Sequence, residues 1–157
     1  MRKLVTEIEV KVRFSEVDSM GIVWHGAYAK YFEDAREAFG QTYGLGYLFI
    51  HGNGFYAPLV ELNFQYKKPL KYEDVMLVKI TYIPTEAAKI IFEYEIRNAE
   101  TGELCTTGKS VQVFLDNKYQ LVLFNPPFYE EWKERIMQLF PTISFLHFPS
   151  KVSWQFQ

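Results

Sequence analysis

Arg13 to Tyr43 reads RFSEVDSMGIVWHGAYAKYFEDAREAFGQTY, and this stretch decides what the rest of the chain must build. It joins the end of a strand, a turn carrying an acidic residue, and a long helix. From Gly26 onward Tyr28, Phe32, Ala35, Phe39 and Tyr43 recur at helical spacing, and Ala27, Tyr31 and Ala38 broaden that face. Lys30, Asp34, Glu37 and Gln41 form its one clear polar stripe. A helix apolar on most sides needs cover, and the strands around it in the sequence supply that cover by curling over it.

Upstream, Leu4 to Phe14 alternates, with Leu4, Ile8, Val10, Val12 and Phe14 on one face and Glu7, Glu9, Lys11 and Arg13 on the other, the pattern of a half-solvated strand. Asp18, Ser19 and Gly21 turn the chain before the helix. Downstream, Gly40, Gly44 and Gly46 end the helix and lead into a short apolar turn or helix, YLFIHG. Alternation returns in Leu59–Tyr66, Val75–Ile83, Lys89–Asn98 and Leu104–Asp116, and the last three are joined by short, turn-rich links that predict an antiparallel meander. Tyr119 to Phe124 reads as a short edge strand. A last helix is expected from Pro126, with Asn125 as its cap, Phe128, Trp132, Ile136, Leu139 and Phe140 as its apolar stripe, and Pro141 as its stop. The expected class is α+β: a curved antiparallel sheet of about five strands, one long helix and a C-terminal helix.

At 157 residues the chain reads as one domain over residues 1–140, with an aromatic tail at 141–157 to which no role attaches. Its 14 Phe and 11 Tyr exceed what one small core consumes, which points to an interface or an apolar ligand site. A formal net charge of -2 removes the bulk electrostatic argument for nucleic acid. No run of apolar residues is long enough for a membrane span, and no signal segment is visible, so a cytoplasmic protein is expected. One cysteine, Cys105, excludes an intrachain disulfide, and the three histidines lack metal-ligand spacing, so no metal is expected.

Chemistry concentrates at Asp18. A carboxylate can attack an electrophile or activate water, and the unpartnered N–H groups of a helix start can polarise a carbonyl and stabilise an oxyanion. The competing reading has Asp18 closing an Asx-turn and Glu16 solvated, and residue types alone favour it because acidic turn residues before helices are common. His25, at the helix start, either bonds a substrate or orients the carboxylate, or is an imidazole packed beside Trp24. Glu33 and Arg36 read as an intrahelical pair, Cys105 as core, and Lys67, Lys68 and Lys71 as a solvated turn.

The stretch RFSEVDSMGIVWHGAYAKYFEDAR resembles the signature of acyl-CoA thioesterases of the 4-hydroxybenzoyl-CoA type, with a looser match through YKKPLKYED to about Phe124. The resemblance implies a hotdog fold, a sheet wrapped around the central helix, and a homodimer or homotetramer whose active sites form at subunit boundaries. It implies Asp18 as the catalytic carboxylate, acting as nucleophile or general base, and the backbone N–H groups of His25 and Gly26 as the carbonyl-polarising pair. A histidine at position 25 matches the short-chain acyl-CoA branch. No cofactor is implied, since coenzyme A belongs to substrate and product. Tyr31, Phe32, Phe55, Tyr56 and Glu61 are the expected pocket walls. Alternatives on the same fold are an acyl-carrier-protein thioesterase and a noncatalytic acyl-binding module.

Overall fold

The computed structural model describes residues 3–139. Strand β1 (Leu4–Lys11) is followed by a 3-10 turn at Phe14–Glu16, a second at His25–Ala27, and helix α1 (Tyr28–Tyr43). Helix α2 (Tyr47–Gly52), strands β2 (Leu59–Tyr66), β3 (Val75–Ile83), β4 (Lys89–Asn98), β5 (Leu104–Leu115) and β6 (Leu121–Val122), and helix α3 (Pro127–Leu139) complete the order. The sheet runs β1-β3-β4-β5-β2, every pairing antiparallel, with β6 added to the end of β5. The expected meander is therefore β3-β4-β5, and β2, although it precedes them in sequence, returns to the far edge.

α1 lies on the inner face of this sheet because its apolar stripe is aromatic and deep. Phe32 is stacked flat against Tyr94 with ring centroids 4.0 Å apart, and against Phe64 at 4.9 Å on its other neighbour strand. This approach needs Gly108 in the middle of β5, since a side chain there would collide with the Phe32 ring and the Asn63 carbonyl. Further along, Phe39 packs against Phe92, Tyr82 and Tyr43. Burying each such ring contributes about 1.5–3 kcal/mol, so the stripe anchors the helix far more strongly than helix propensity does.

α3 closes the C-terminal end of α1. Trp132 is fully buried and its indole N–H donates to the carbonyl of Tyr43 at 2.7 Å, satisfying one of the acceptors that a helix end leaves open. Tyr129 is buried beside it; its hydroxyl lies 2.6 Å from that of Tyr82 and donates to the Lys89 carbonyl at 2.8 Å.

Several expectations are corrected. β1 ends at Lys11, and Phe14 sits in the 3-10 turn with 75% of its surface exposed instead of continuing the strand's apolar face. Glu7, expected on the solvated face, is buried. α3 begins at Pro127, not Pro126; the Asn125 side chain bonds the Glu86 carbonyl and Lys133, so it braces the approach without capping the helix. Leu139 is exposed. The edge strand expected over Tyr119–Phe124 shrinks to two residues, because Tyr119 adopts a left-handed turn conformation with φ of 61°. Phe140, the stop at Pro141 and the tail lie outside the described residues.

Candidate active site

Asp18 rides on a tight hairpin. Val17 and Val23 bridge antiparallel, the Asp18 N–H donates to the Ile22 carbonyl at 2.9 Å, and Gly21, with φ of 77°, donates back to the Asp18 carbonyl. The Asp18 carboxylate accepts the Met20 N–H at 2.8 Å, so the Asx-turn is present. It leaves the carboxylate partly exposed at a fixed place on the hairpin instead of removing it from use.

The hairpin is welded to α1 by a carboxylate expected in solvent. Glu16 is only 3% exposed: it accepts the Arg13 N–H at 2.9 Å, the Tyr31 hydroxyl at 2.9 Å and the Arg13 guanidinium at 3.2 Å. Its own carbonyl accepts the Trp24 N–H at 2.8 Å, so the two legs of the hairpin and the first turn of α1 form one bonded unit. Burial, with the neighbouring Glu16 carboxylate, raises the Tyr31 phenol far above its ordinary value and keeps it a donor.

At the helix start Trp24 is the extended capping residue, and no side chain fills the capping role. The Ala27 N–H is the first to find an acceptor, the Trp24 carbonyl at 2.9 Å. The N–H groups of His25 and Gly26 precede it and have no acceptor within the helix. Two aligned donors at the positive end of a helix are the chemistry that holds a carbonyl oxygen as it gains charge. Gly26 lets the indole of Trp24 lie across the helix start, and a Cβ there would displace that half-exposed ring. The His25 imidazole is exposed with its ring centroid 5.1 Å from that of Trp24, the packed alternative for its side chain, while its carbonyl accepts the Tyr66 hydroxyl at 2.9 Å. That bond ties the helix start to the end of β2.

The expected pocket walls divide. Tyr31 and Phe32 are buried in the core and line nothing, because Glu16 and the Tyr94–Phe64 stack claim them. Glu61 is exposed on the outward face of β2, opposite Val111, and bonds Asn63. Phe55 and Tyr56 do line a groove of about 760 Å³, together with Glu33, Glu37, Gln41 and Gln112. This groove begins roughly 10–16 Å along the helix axis from Gly26, at 1.5 Å per residue.

Outside the site, Glu33 and Arg36 form the expected pair at 3.1 Å, and Cys105 is a buried core thiol whose pKa is raised by that burial. Lys68 pairs with Glu103 on the surface. Among the described residues no group of three or more His, Cys, Asp or Glu side chains is placed to hold a metal ion. The residue that sequence reasoning missed is Glu16. The spacing Arg13-x-x-Glu16, that of a capping box, was the available signal.

The profile of the Thioesterase-like superfamily matches residues 12–136. YneP of Bacillus subtilis, provisionally named an acyl-CoA thioesterase, is 32% identical over 73% of this chain and 82% of its own length. The chloroplastic acyl-acyl carrier protein thioesterase ATL3 of Arabidopsis thaliana is 33% identical over 74% of this chain, which spans 61% of that protein. The solved DHNA-CoA thioesterase of Staphylococcus aureus superposes with a TM-score of 0.78 at 27% identity, covering 92% of this chain and 97% of its own. The sheet curled around α1 is the hotdog fold of these proteins.

Proposed function

This chain belongs to the Thioesterase-like superfamily and is a thioester hydrolase, and we propose that it cleaves small or medium acyl-CoA esters with Asp18 as its catalytic carboxylate. The observation that supports this reading is the bonded unit of hairpin and helix start, which ties the Asp18 hairpin through Glu16 to the turn where the His25 and Gly26 N–H groups precede the first helical bond. The donors of His25 and Gly26 hold the thioester oxygen. Asp18 then either attacks the acyl carbon, giving a mixed anhydride that water cleaves, or takes a proton from water that attacks directly. On both routes the carbon–sulfur bond breaks and coenzyme A leaves as a thiolate. The route requires no cofactor.

The same reading includes a second copy of the chain. Among the described residues β2 is an edge strand with a single sheet partner, and it exposes Val60, Leu62 and Tyr66. Its Tyr66 end is bonded to the helix start, and its Leu59 end adjoins Phe55–Ala57 in the groove. Antiparallel pairing with β2 of another copy sets one subunit's helix start beside the other's groove, closing the gap between donors and groove. A homodimer is the minimum assembly of this proposal, and a homotetramer doubles it. No helix among the described residues is long and apolar enough to cross a membrane; the buried, unpaired Cys105 suits the reducing cytoplasm.

Thiol release from short, long and aromatic acyl-CoA esters, measured for wild type and Asp18→Asn, tests the proposal. Wild type should turn over part of the panel, and the variant should lose roughly 10²–10⁴-fold in kcat with an unchanged melting temperature. Full activity in Asp18→Asn sinks the assignment of Asp18. The likeness to ATL3 favours one second reading, an acyl-carrier-protein substrate, which turnover of acyl carrier protein without turnover of any CoA ester would support.

A further inference from the structure

Along the edge of the groove four rings contact one another in succession. Tyr47 and His51 lie parallel on α2 with centroids 5.8 Å apart; His51 meets Tyr56 at 5.3 Å, and Tyr56 stacks on Tyr119 at 5.1 Å with 14° between planes. Tyr47 and Tyr56 are also groove-lining residues, so the row begins where the groove opens. Both ends of the row are wet, Tyr47 and Tyr119 each being 70% exposed.

Tyr119 occupies a place that does not suit tyrosine. Its φ of 61° lies in the left-handed region, where glycine is the low-cost choice and a bulky residue is strained. The turn enforces it. The Asp116 carboxylate accepts the N–H groups of Lys118 and Gln120, and the Asp116 carbonyl accepts that of Tyr119. Strain retained at an exposed ring points to use of that ring.

We propose that the Tyr56–Tyr119 shelf binds the adenine of coenzyme A, which makes this thioesterase selective for CoA esters over acyl carrier protein. The inference rests on the thioester-hydrolase reading and names the part of the substrate that its site grips. A carrier-protein substrate presents the same pantetheine arm without a nucleotide, so only a CoA ester has a flat ring for the shelf. The groove between suits the arm, which alternates amides with hydrocarbon: Gln41 and Gln112 offer amide partners, and Leu48, Phe49 and Phe55 line the stretches between them. The exposed Lys118 precedes Tyr119 in the turn and supplies a cation next to the shelf for the phosphates that accompany adenine. An acyl group would instead seek a dry cavity, which an exposed shelf is not.

Steady-state kinetics on an acyl-CoA and on the matching acyl-pantetheine, using wild type, Tyr119→Gly and Tyr119→Phe, decide the matter. Tyr119→Gly should raise KM for the CoA ester roughly 5- to 150-fold, the worth of one base–aromatic stack, with kcat unchanged. Acyl-pantetheine should not distinguish the three proteins, and Tyr119→Phe, which keeps the ring, should match wild type. The melting temperature of Tyr119→Gly should equal or exceed that of wild type, since glycine fits φ of 61°. An unchanged KM for the CoA ester, an equal rise for both esters, or a defect confined to acyl carrier protein would each overturn the shelf. Calorimetric titration with 3′-phosphoadenosine 5′-diphosphate separates the two readings: a wild type that cleaves no thioester but binds this nucleotide through Tyr119 retires the hydrolase and keeps the shelf.

Discussion

The two ends of α1 are held by opposite means. At its start, polar groups do the holding: Glu16 gathers Arg13, Tyr31 and, through its carbonyl, Trp24, while Trp24 and His25 stay exposed. At its finish, aromatic burial does: Trp132, Tyr129, Tyr82 and Phe39 exclude water around the last turn. A network of directional bonds fixes positions to fractions of an ångström yet contributes about 0.5–1.5 kcal/mol per bond. A packed aromatic cluster contributes more and specifies less. The end proposed to be reactive therefore has precision, and the remote end has most of the stability.

This division can be broken from either side. Trp132→Ala should cost about 3–5 kcal/mol in denaturant titrations, from lost packing and an orphaned Tyr43 carbonyl, while kcat of the fraction still folded stays near wild type. Glu16→Ala should cost less stability, about 1–3 kcal/mol for the buried Tyr31 hydroxyl left without a partner, and yet lower kcat at least tenfold by freeing the Asp18 hairpin. The reverse ranking in either assay would show that the two ends are not specialised. Alkali sharpens the contrast further. Burial pushes the Tyr82 phenol up to about 12, with the Tyr129 hydroxyl bond partly offsetting it. A phenol whose folded pKa is raised stabilises the fold fully below pH 10 and loses that contribution as pH rises toward 12, at about 1.4 kcal/mol per pH unit. Tyr82→Phe should flatten that alkaline limb, read as melting temperature against pH. The smallest effect belongs to Lys133, whose ammonium lies 4.2 Å over the Tyr129 ring and has its pKa lowered chiefly by burial. Lys133→Met should cost about 1 kcal/mol and leave turnover untouched.

The finish of α1 was largely legible in the sequence, and its start was not. Phe39, Tyr43, Trp132 and Ile136 recur at helical spacing, and β4 alternates cleanly, because burial of many side chains leaves a period behind. Asp18 and His25 stand out as candidates from the residues, and the family resemblance adds Gly26, but the Glu16 clamp includes a bond to a tyrosine fifteen residues away, which no period records. Tyr31 and Phe32 read as pocket walls in the sequence yet are buried in the core, for a related reason. Composition says that a ring is available, and only the notch at Gly108 says that Phe32 is already spent against the sheet.

The bond from Trp132 to Tyr43 also sets a timetable. These residues are 89 apart in sequence, so a ribosome adding 5–20 residues per second needs roughly 4–18 s to deliver the partner of a carbonyl made early. During that interval the last turn of α1 is hydrated and the aromatic pocket around it stands open to chaperones and proteases. The start of α1, the proposed working end, can be bonded together while the far end still waits for the final helix to emerge.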